Sequence, residues 1–176
     1  MNHPFFTIGH STRSIEDFVR LLSAGRVGMV VDIRTVPRSR TNPQFNEEAL
    51  PEALAARQIA HLRIPSLGGL RKRARDVPPE TNGWWSNRSF RNYADHALGD
   101  EYARGLAELI AVGRERRVAM MCSEAVWWRC HRRIVTDWLL ARGETVCHLM
   151  GDDKVEPARL SEGARVADGR VTYPAA

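Results

Sequence analysis

The residues best suited to chemistry surround two cysteines, Cys122 and Cys130. Cys122 ends an apolar segment and precedes Glu124 by two positions, whereas Cys130 directly precedes His131 and Arg132. A thiol beside arginine and histidine near a helix start has a lowered pKa, which makes Cys122 a candidate nucleophile. Glu124 and His131 are candidate acid–base residues, and Arg132 is a candidate for binding an anionic substrate. Because cysteine is often simply buried, the thiol can also be structural.

A second candidate group follows the first apolar segment of the chain. Gly9 permits a tight turn, and His10 and Ser11 come directly after it. We expect His10 to be catalytic and Ser11 to bind substrate, although both residue types also serve ordinary turns and helix caps.

A third group surrounds Asp32, which lies in an otherwise apolar segment. A carboxylate in such a segment must be paired or hydrogen-bonded. Asp32 is therefore either an acid–base group or a residue that orients Arg34. Arg34 and Arg40 are expected to bind an anion, because the arginine fork matches phosphate oxygens.

Zinc binding is an alternative use of the same residues. Cys122, Cys130, His131 and the distant His10 supply four possible ligands. The close Cys-x-x-Cys spacing of common zinc sites is absent, so we expect no metal. The sequence does not identify a cofactor.

The elements that must position these residues alternate between strands and helices. Strands are predicted at residues 5–8, 28–33, 59–64, 117–122 and 146–150, with helices at 14–25, 46–55, from 89, from 100 and at 126–142. This order predicts a single α/β domain over residues 1–176, with a mainly parallel sheet and helices on both faces. Its core spans about residues 4–150, with a C-terminal extension at 151–176. Ligands of such sheets bind beyond the strand carboxyl ends, where the candidate residues fall.

Charge and composition narrow the possible classes of protein. The net charge is +5, and of the 26 basic residues only Lys72 and Lys154 are lysines. Residues 26–91 hold most of the positive excess, which favours an anionic small molecule or nucleic acid as partner. No apolar run approaches the ~20 residues of a membrane span, so we expect no membrane association. The three cysteines are too few and odd in number for a disulfide framework, which favours a reducing cytoplasm.

The ordered motifs resemble the domain-of-unknown-function family numbered 488. The resemblance rests on Thr7–Ser11, Asp32–Arg34, Met121–Glu124 and the Cys130-His131-Arg132 triplet. It implies one small α/β domain and no assigned activity. Trp127 and Trp128 stand where many relatives are expected to have proline. A looser resemblance to rhodaneses, which implies sulfur transfer at Cys122, is weakened because these tryptophans replace the small residues of an anion-binding loop.

Two functions follow from these observations. The first is an enzyme acting on a phosphate-bearing, nucleotide-like or nucleic-acid-like substrate at the strand carboxyl ends. The second is a non-catalytic nucleic-acid-binding module that uses the basic loop over residues 63–93, where Trp84, Trp85 and Tyr93 would stack on bases. A structural or regulatory partner protein is a third reading. The sequence does not determine the oligomeric state.

Overall fold

A six-stranded sheet forms the centre of the computed structural model, which describes residues 2–176. Its strands are β1 Phe5–Gly9, β2 Met29–Asp32, β3 Ala60–Arg63, β4 Val118–Cys122, β5 Val146–Met150 and β6 Lys154–Pro157. They lie in the order β3-β2-β4-β1-β5-β6, with β1 to β5 parallel and β6 antiparallel to β5. The α/β class and the mainly parallel sheet are therefore confirmed.

Helices cover both faces of the sheet, as predicted. They are α1 Ile15–Ala24, α2 Leu50–Ala55, α3 Arg88–His96, α4 Asp100–Glu115 and α5 Arg132–Ala141. Successive residues of a strand point to opposite faces, so Phe5 and Phe6 enter different cores. Phe6 joins the cluster that contains Phe18 of α1, whereas Phe5 joins the cluster that contains Leu109 of α4. The sheet is thus the middle of three layers.

Local sequence signals explain where α1 begins and why α5 begins late. The Ser14 hydroxyl accepts a hydrogen bond from the Asp17 backbone N–H and so caps the start of α1. The prediction of a helix over 126–142 is wrong in its first part, because Trp127–Arg129 form a separate 3-10 turn. Cys130 then adopts an extended backbone, and its sulfur accepts the backbone N–H of Arg132 at 3.4 Å. Cys130 therefore precedes α5 instead of lying within it.

The C-terminal residues complete the fold. Strand β6 extends the sheet, and β7 Arg165–Ala167 pairs with β8 Arg170–Thr172 in a separate hairpin. Tyr173 is buried in the larger core cluster, and its hydroxyl donates to Asp137 Oδ2 at 2.7 Å. His148 is buried within β5.

The long segment between β3 and α3 is folded against the core. Trp85 and Tyr93 are buried, so the expectation that they are available for base stacking is wrong. The Tyr93 hydroxyl donates to the Leu67 carbonyl at 2.8 Å, whereas Trp84 stays partly exposed. Among residues 2–176, no helix has the length and apolar content needed to cross a bilayer.

Candidate functional site

The sheet order places three candidate loops side by side. Strands β2, β4 and β1 are neighbours, so the loops after Asp32, Cys122 and Gly9 meet at one edge of the sheet. The loops after β1 and β4 approach so closely that a side-chain carbon on Gly9 would lie 1.6 Å from the Glu124 carbonyl oxygen. Backbone hydrogen bonds from His10 and Ser11 to the carbonyls of Cys122 and Ser123 hold the loops together.

A cavity of about 310 Å³ opens at this edge. The predicted residues that line it are Arg34, Cys122, Glu124 and His131. A second cavity of about 350 Å³ is lined by His10, Ser11 and, again, Arg34. Because Arg34, Val36 and Ser123 line both cavities, the two adjoin, and we refer to them together as the cleft. Most of the predicted site residues therefore converge.

Two cysteines lie together in the wall of this cleft. The sulfurs of Cys122 and Cys130 are in direct contact, and their Cα atoms are 7.4 Å apart. Their side chains are 3% and 4% exposed, and both line the first cavity. The third cysteine, Cys147, lies half-buried on β5 away from this pair. The sequence does not indicate the pairing, because an odd number of cysteines argues against a disulfide framework.

Arg132 lies directly behind the cysteine pair. Its side chain is 0% exposed, and its Nη1 donates to the Cys122 sulfur at 2.7 Å. Other N–H groups of the guanidinium donate to the Glu124 and Ala125 carbonyls and to the Thr7 hydroxyl. Burial lowers its pKa to about 9, which leaves the guanidinium charged at neutral pH. The prediction that Arg132 binds substrate is not supported by this placement, since its donors already serve protein atoms.

His131 contacts the second cysteine. Its Nε2–H donates to the Ile33 carbonyl at 2.8 Å, so Nδ1 carries the lone pair, 3.6 Å from the Cys130 sulfur. Burial lowers the pKa of His131 to about 4, so the ring is neutral at pH 7. Gly69 passes close by, since a side-chain carbon there would lie 2.5 Å from Nδ1. His131 is therefore a neutral acceptor for the Cys130 thiol.

Asp32 and Arg34 form a buried ion pair. Arg34 Nε and Nη2 donate to the two carboxylate oxygens of Asp32, at 2.9 and 2.7 Å. Asp32 is 0% exposed and also accepts the Arg34 backbone N–H. Of the two roles predicted for Asp32, this geometry favours the orientation of Arg34 over acid–base catalysis.

His10 continues this chain of contacts. Its Nδ1–H donates to the Ser11 carbonyl at 2.9 Å, and its Nε2 accepts from Arg34 Nη1 at 3.3 Å. The ring stacks on Phe45, with centroids 4.5 Å apart. Burial lowers the pKa of His10, so the neutral ring accepts the Arg34 N–H. Both ring nitrogens are occupied, which suits a positioning role better than the expected catalytic one.

The remaining predicted residues lie at the rim or outside it. Glu124 is exposed and contributes a carboxylate to the first cavity, and Ser11 lines the second. Arg40 is exposed and lines neither cavity, whereas Arg38 lines the second and pairs with Glu48. The structure thus brings Arg38, not Arg40, to the cleft.

Several residues of the site are not evident in the sequence. Val36, Leu70 and Phe90 give the first cavity an apolar wall, and Arg129 gives it an exposed guanidinium. No motif marks these four residues, because they approach the cysteines only through the packing of distant segments. Thr7, within the Thr7–Ser11 motif, accepts from Arg132 and contacts His148 Nδ1 at 2.6 Å, which fixes the guanidinium from behind.

The described residues contain no cluster of three or more His, Cys, Asp or Glu side chains suited to a metal ion. Distant His10, the fourth zinc ligand considered above, directs its Nε2 towards Arg34. The four-ligand zinc set considered from the sequence is therefore not assembled among the described residues.

Comparisons with known proteins identify a family. A family model described as "Domain of unknown function DUF488" matches residues 14–139, which include Asp32–Arg34 and the cysteine pair but not Thr7–Ser11. Neither the curated proteins nor the solved structures contain a significant match to this chain.

Proposed function

The chain belongs to the family described as domain of unknown function DUF488, and we propose that it is a thiol-dependent enzyme that exchanges disulfides through Cys122 and Cys130. The observation that carries this proposal is the direct contact of the two sulfurs in the wall of an open cleft. Paired cysteines that reach a substrate cavity are the working parts of thiol–disulfide exchange.

Each sulfur has its own support for the thiolate form. The Arg132 guanidinium donates to the Cys122 sulfur, and a contacting positive charge stabilises a thiolate. The Cys130 sulfur accepts the first backbone N–H of α5, which favours a thiolate, but the neighbouring His131 lone pair accepts the thiol proton and favours the neutral thiol. Since only Cys122 contacts a permanent positive charge, Cys122 is assigned as the attacking sulfur and Cys130 as the resolving sulfur.

The reaction is a balanced exchange. The Cys122 thiolate attacks one sulfur of a substrate disulfide, forms a mixed disulfide and releases the first substrate thiolate, which takes a proton from water. Cys130 loses its proton to solvent and attacks the Cys122 sulfur, which releases the second substrate thiolate. The substrate gains two electrons and the cysteine pair becomes a disulfide, which a dithiol reductant restores.

Closure of this disulfide requires a small movement of the loop. The Cα separation of 7.4 Å exceeds the usual disulfide range of about 4.4–6.8 Å. The loop over residues 123–129 must therefore draw towards α5 when the bond forms. We place the activity in the reducing cytoplasm, where a dithiol reductant is present.

The substrate side of the cleft combines apolar and polar groups. Val36, Leu70 and Phe90 supply an apolar wall, and Arg129 and Arg34 supply N–H donors. Arg34 is already paired with Asp32, so Arg129 is the better candidate to attract an anionic substrate group. Glu124 remains the candidate acid–base residue at the rim, and its test is the rate of exchange in Glu124→Gln.

The test uses the reduced protein and oxidised glutathione as a small anionic disulfide. We expect wild type to form the Cys122–Cys130 disulfide, measured by mass spectrometry, and to release two glutathione thiols per protein, measured by thiol titration of the small-molecule fraction after removal of the protein. Cys130→Ser is expected to stop at the mixed disulfide on Cys122, and Cys122→Ser is expected to react slowly. Cys147→Ser is the matched control, because burial raises the pKa of that thiol and keeps it unreactive.

Two results would contradict the proposal. One is that Cys122 reacts no faster than Cys147 in the same molecule. The other is that the mixed disulfide on Cys122 forms but is never resolved by Cys130. Transfer of a single sulfur from thiosulfate to cyanide, without disulfide formation, would instead favour the rhodanese-like alternative.

A further inference from the structure

A separate cavity of about 600 Å³ lies between the segment over residues 72–79 and helix α3. Four basic side chains line it, contributed by Lys72, Arg73, Arg88 and Arg91, against the single carboxylate of Asp95. None of these four cations makes an ion pair within 4.0 Å among residues 2–176. The cavity is therefore strongly positive and has no internal counter-charge for most of its cations.

The carboxylate of this cavity is engaged elsewhere. Asp95 is buried and accepts a hydrogen bond from Asn82 Nδ2 at 2.7 Å. Asn82 Oδ1 in turn accepts the Tyr173 backbone N–H, so Asp95 belongs to the anchor of the C-terminal segment. Asp95 thus supplies one negative charge, which Arg91 and Arg73 approach, against the four cations of the cavity.

We propose that this cavity binds phosphate groups. Three guanidiniums and one ammonium around a single concave surface match the several oxygens and multiple charge of phosphate better than a lone carboxylate. The volume exceeds that of one phosphate, so the ligand carries more than one, as a small polyphosphate or as successive phosphodiesters of a single strand.

The basic cavity is adjacent to the cysteine cleft but separate from it. Ser89 and Phe90 in the first turn of α3 line the cysteine cleft, whereas Arg88 and Arg91 line the basic cavity. One helical turn thus divides the two cavities. Phosphate binding here does not depend on the thiol chemistry, and Cys122→Ser is expected to bind phosphate ligands as wild type does.

This site differs from the nucleic-acid surface expected from the sequence. Arg71 is held by Glu101 and by the Pro65 and Gly68 carbonyls, so it is not free for a ligand. Arg88, which lies at the start of a helix and outside the run of basic residues, takes its place. Arg91 also lines the cavity, while its Nε and Nη2 donate to the Trp85 carbonyl.

The experiment compares two ligands on the whole protein. One arm titrates a fluorescent single-stranded oligonucleotide across a potassium chloride series, and the other measures inorganic tripolyphosphate by calorimetry. Arg73→Gln combined with Arg88→Gln removes two exposed cations of the cavity. The matched control is Arg104→Gln with Arg116→Gln, which makes the same charge change at exposed positions of α4 and its end, outside the basic cavity.

We expect the cavity variant to raise Kd roughly tenfold at low salt. The slope of log K against log salt for the oligonucleotide should become shallower by about 1.4, at ~0.7 per lost phosphate contact of a single strand. The control should keep the wild-type affinity and slope. Competition between the oligonucleotide and tripolyphosphate supports one shared phosphate site. Binding of only one of them also supports the site and identifies that ligand as the source of the phosphate groups.

Two results overturn the proposal. The first is that wild type binds neither ligand in low-salt buffer. The second is that both double variants lose affinity equally, since binding would then follow net charge and not this cavity. Unchanged thermal melting of the variants verifies that the loss comes from the removed cations and not from misfolding.

Discussion

The guanidinium of Arg132 donates an N–H to the sulfur of Cys122 at 2.7 Å, deep within the protein. No carboxylate lies within ion-pair distance of Arg132 in the part of the chain that the structure describes. A buried charge without a counter-charge is costly, and a thiolate at Cys122 would supply one. The Arg132 guanidinium and a Cys122 thiolate therefore stabilise each other.

Replacement of Arg132 should make Cys122 a weaker nucleophile at neutral pH. In Arg132→Met we expect the midpoint of the rate of Cys122 alkylation by iodoacetamide to move upward by about 1–3 pH units, because the neighbouring positive charge is lost. The midpoint for Arg132→Lys should lie between those of the wild type and Arg132→Met. Peptide mass spectrometry measures the rate at Cys122 itself, and Arg133→Met is the control on the same helix. An unchanged midpoint in Arg132→Met would show that the guanidinium does not stabilise the thiolate.

Gly9 should not tolerate a side chain. In Gly9→Ala the new carbon meets the Glu124 carbonyl oxygen, a backbone atom, at 1.6 Å, so the two loops must separate. We expect the free energy of unfolding to fall by roughly 2–3 kcal/mol or more, with a loss of disulfide exchange. Gly28→Ala is the matched control, because its nearest neighbour is 3.9 Å away and the change should be within ~1 kcal/mol. Equal unfolding curves for the two variants would contradict the close approach of the loops.

Asp32→Asn should destabilise the fold by leaving the Arg34 charge buried and unpaired. The expected loss is about 3–5 kcal/mol in urea unfolding, the range for breaking a buried pair by removing one partner. The double replacement Asp32→Leu with Arg34→Met should cost less than Asp32→Asn alone, because no charge then remains buried. Asp76→Asn, at an exposed position, should change stability by no more than ~0.5 kcal/mol. A double variant less stable than the single one would refute this account of the pair.

Stability should fall as the pH is lowered from about 6.5 to about 4. Burial lowers the pKa of His131 to about 4 and that of His148 to about 3, below the 6.5 of an unfolded histidine. In this window the unfolded chain binds protons that the native protein does not, so the free energy of unfolding decreases with falling pH. Urea unfolding at a series of pH values measures the effect, which is of the order of 2 kcal/mol for one such histidine. His131→Gln, whose amide can still donate to Ile33, should flatten the dependence, and an identical slope in this variant would remove His131 as its source.

Much of the fold is predictable because its signals are local. The strand at Val146–Met150 and the Ser14 cap of α1 follow from short apolar runs and from one side chain that satisfies a backbone N–H. The late start of α5 is not predictable in this way. It depends on the extended backbone of Cys130. The sulfur of this residue accepts the backbone N–H of Arg132 and contacts the Cys122 sulfur across the loop.

The sequence by itself determined the α/β class, the family and the identity of most residues at the cleft, since motif order and strand carboxyl ends are properties of the chain. Only the tertiary structure decided what these residues do. The neighbouring positions of β2, β4 and β1 bring Cys130 against Cys122, Arg34 against His10 and Arg132 behind the cysteine wall. Strand order and burial arise from the packing of segments far apart in the chain. Because of this packing, Arg132, which the sequence predicts to bind substrate, is instead a fixed charge beside a thiol.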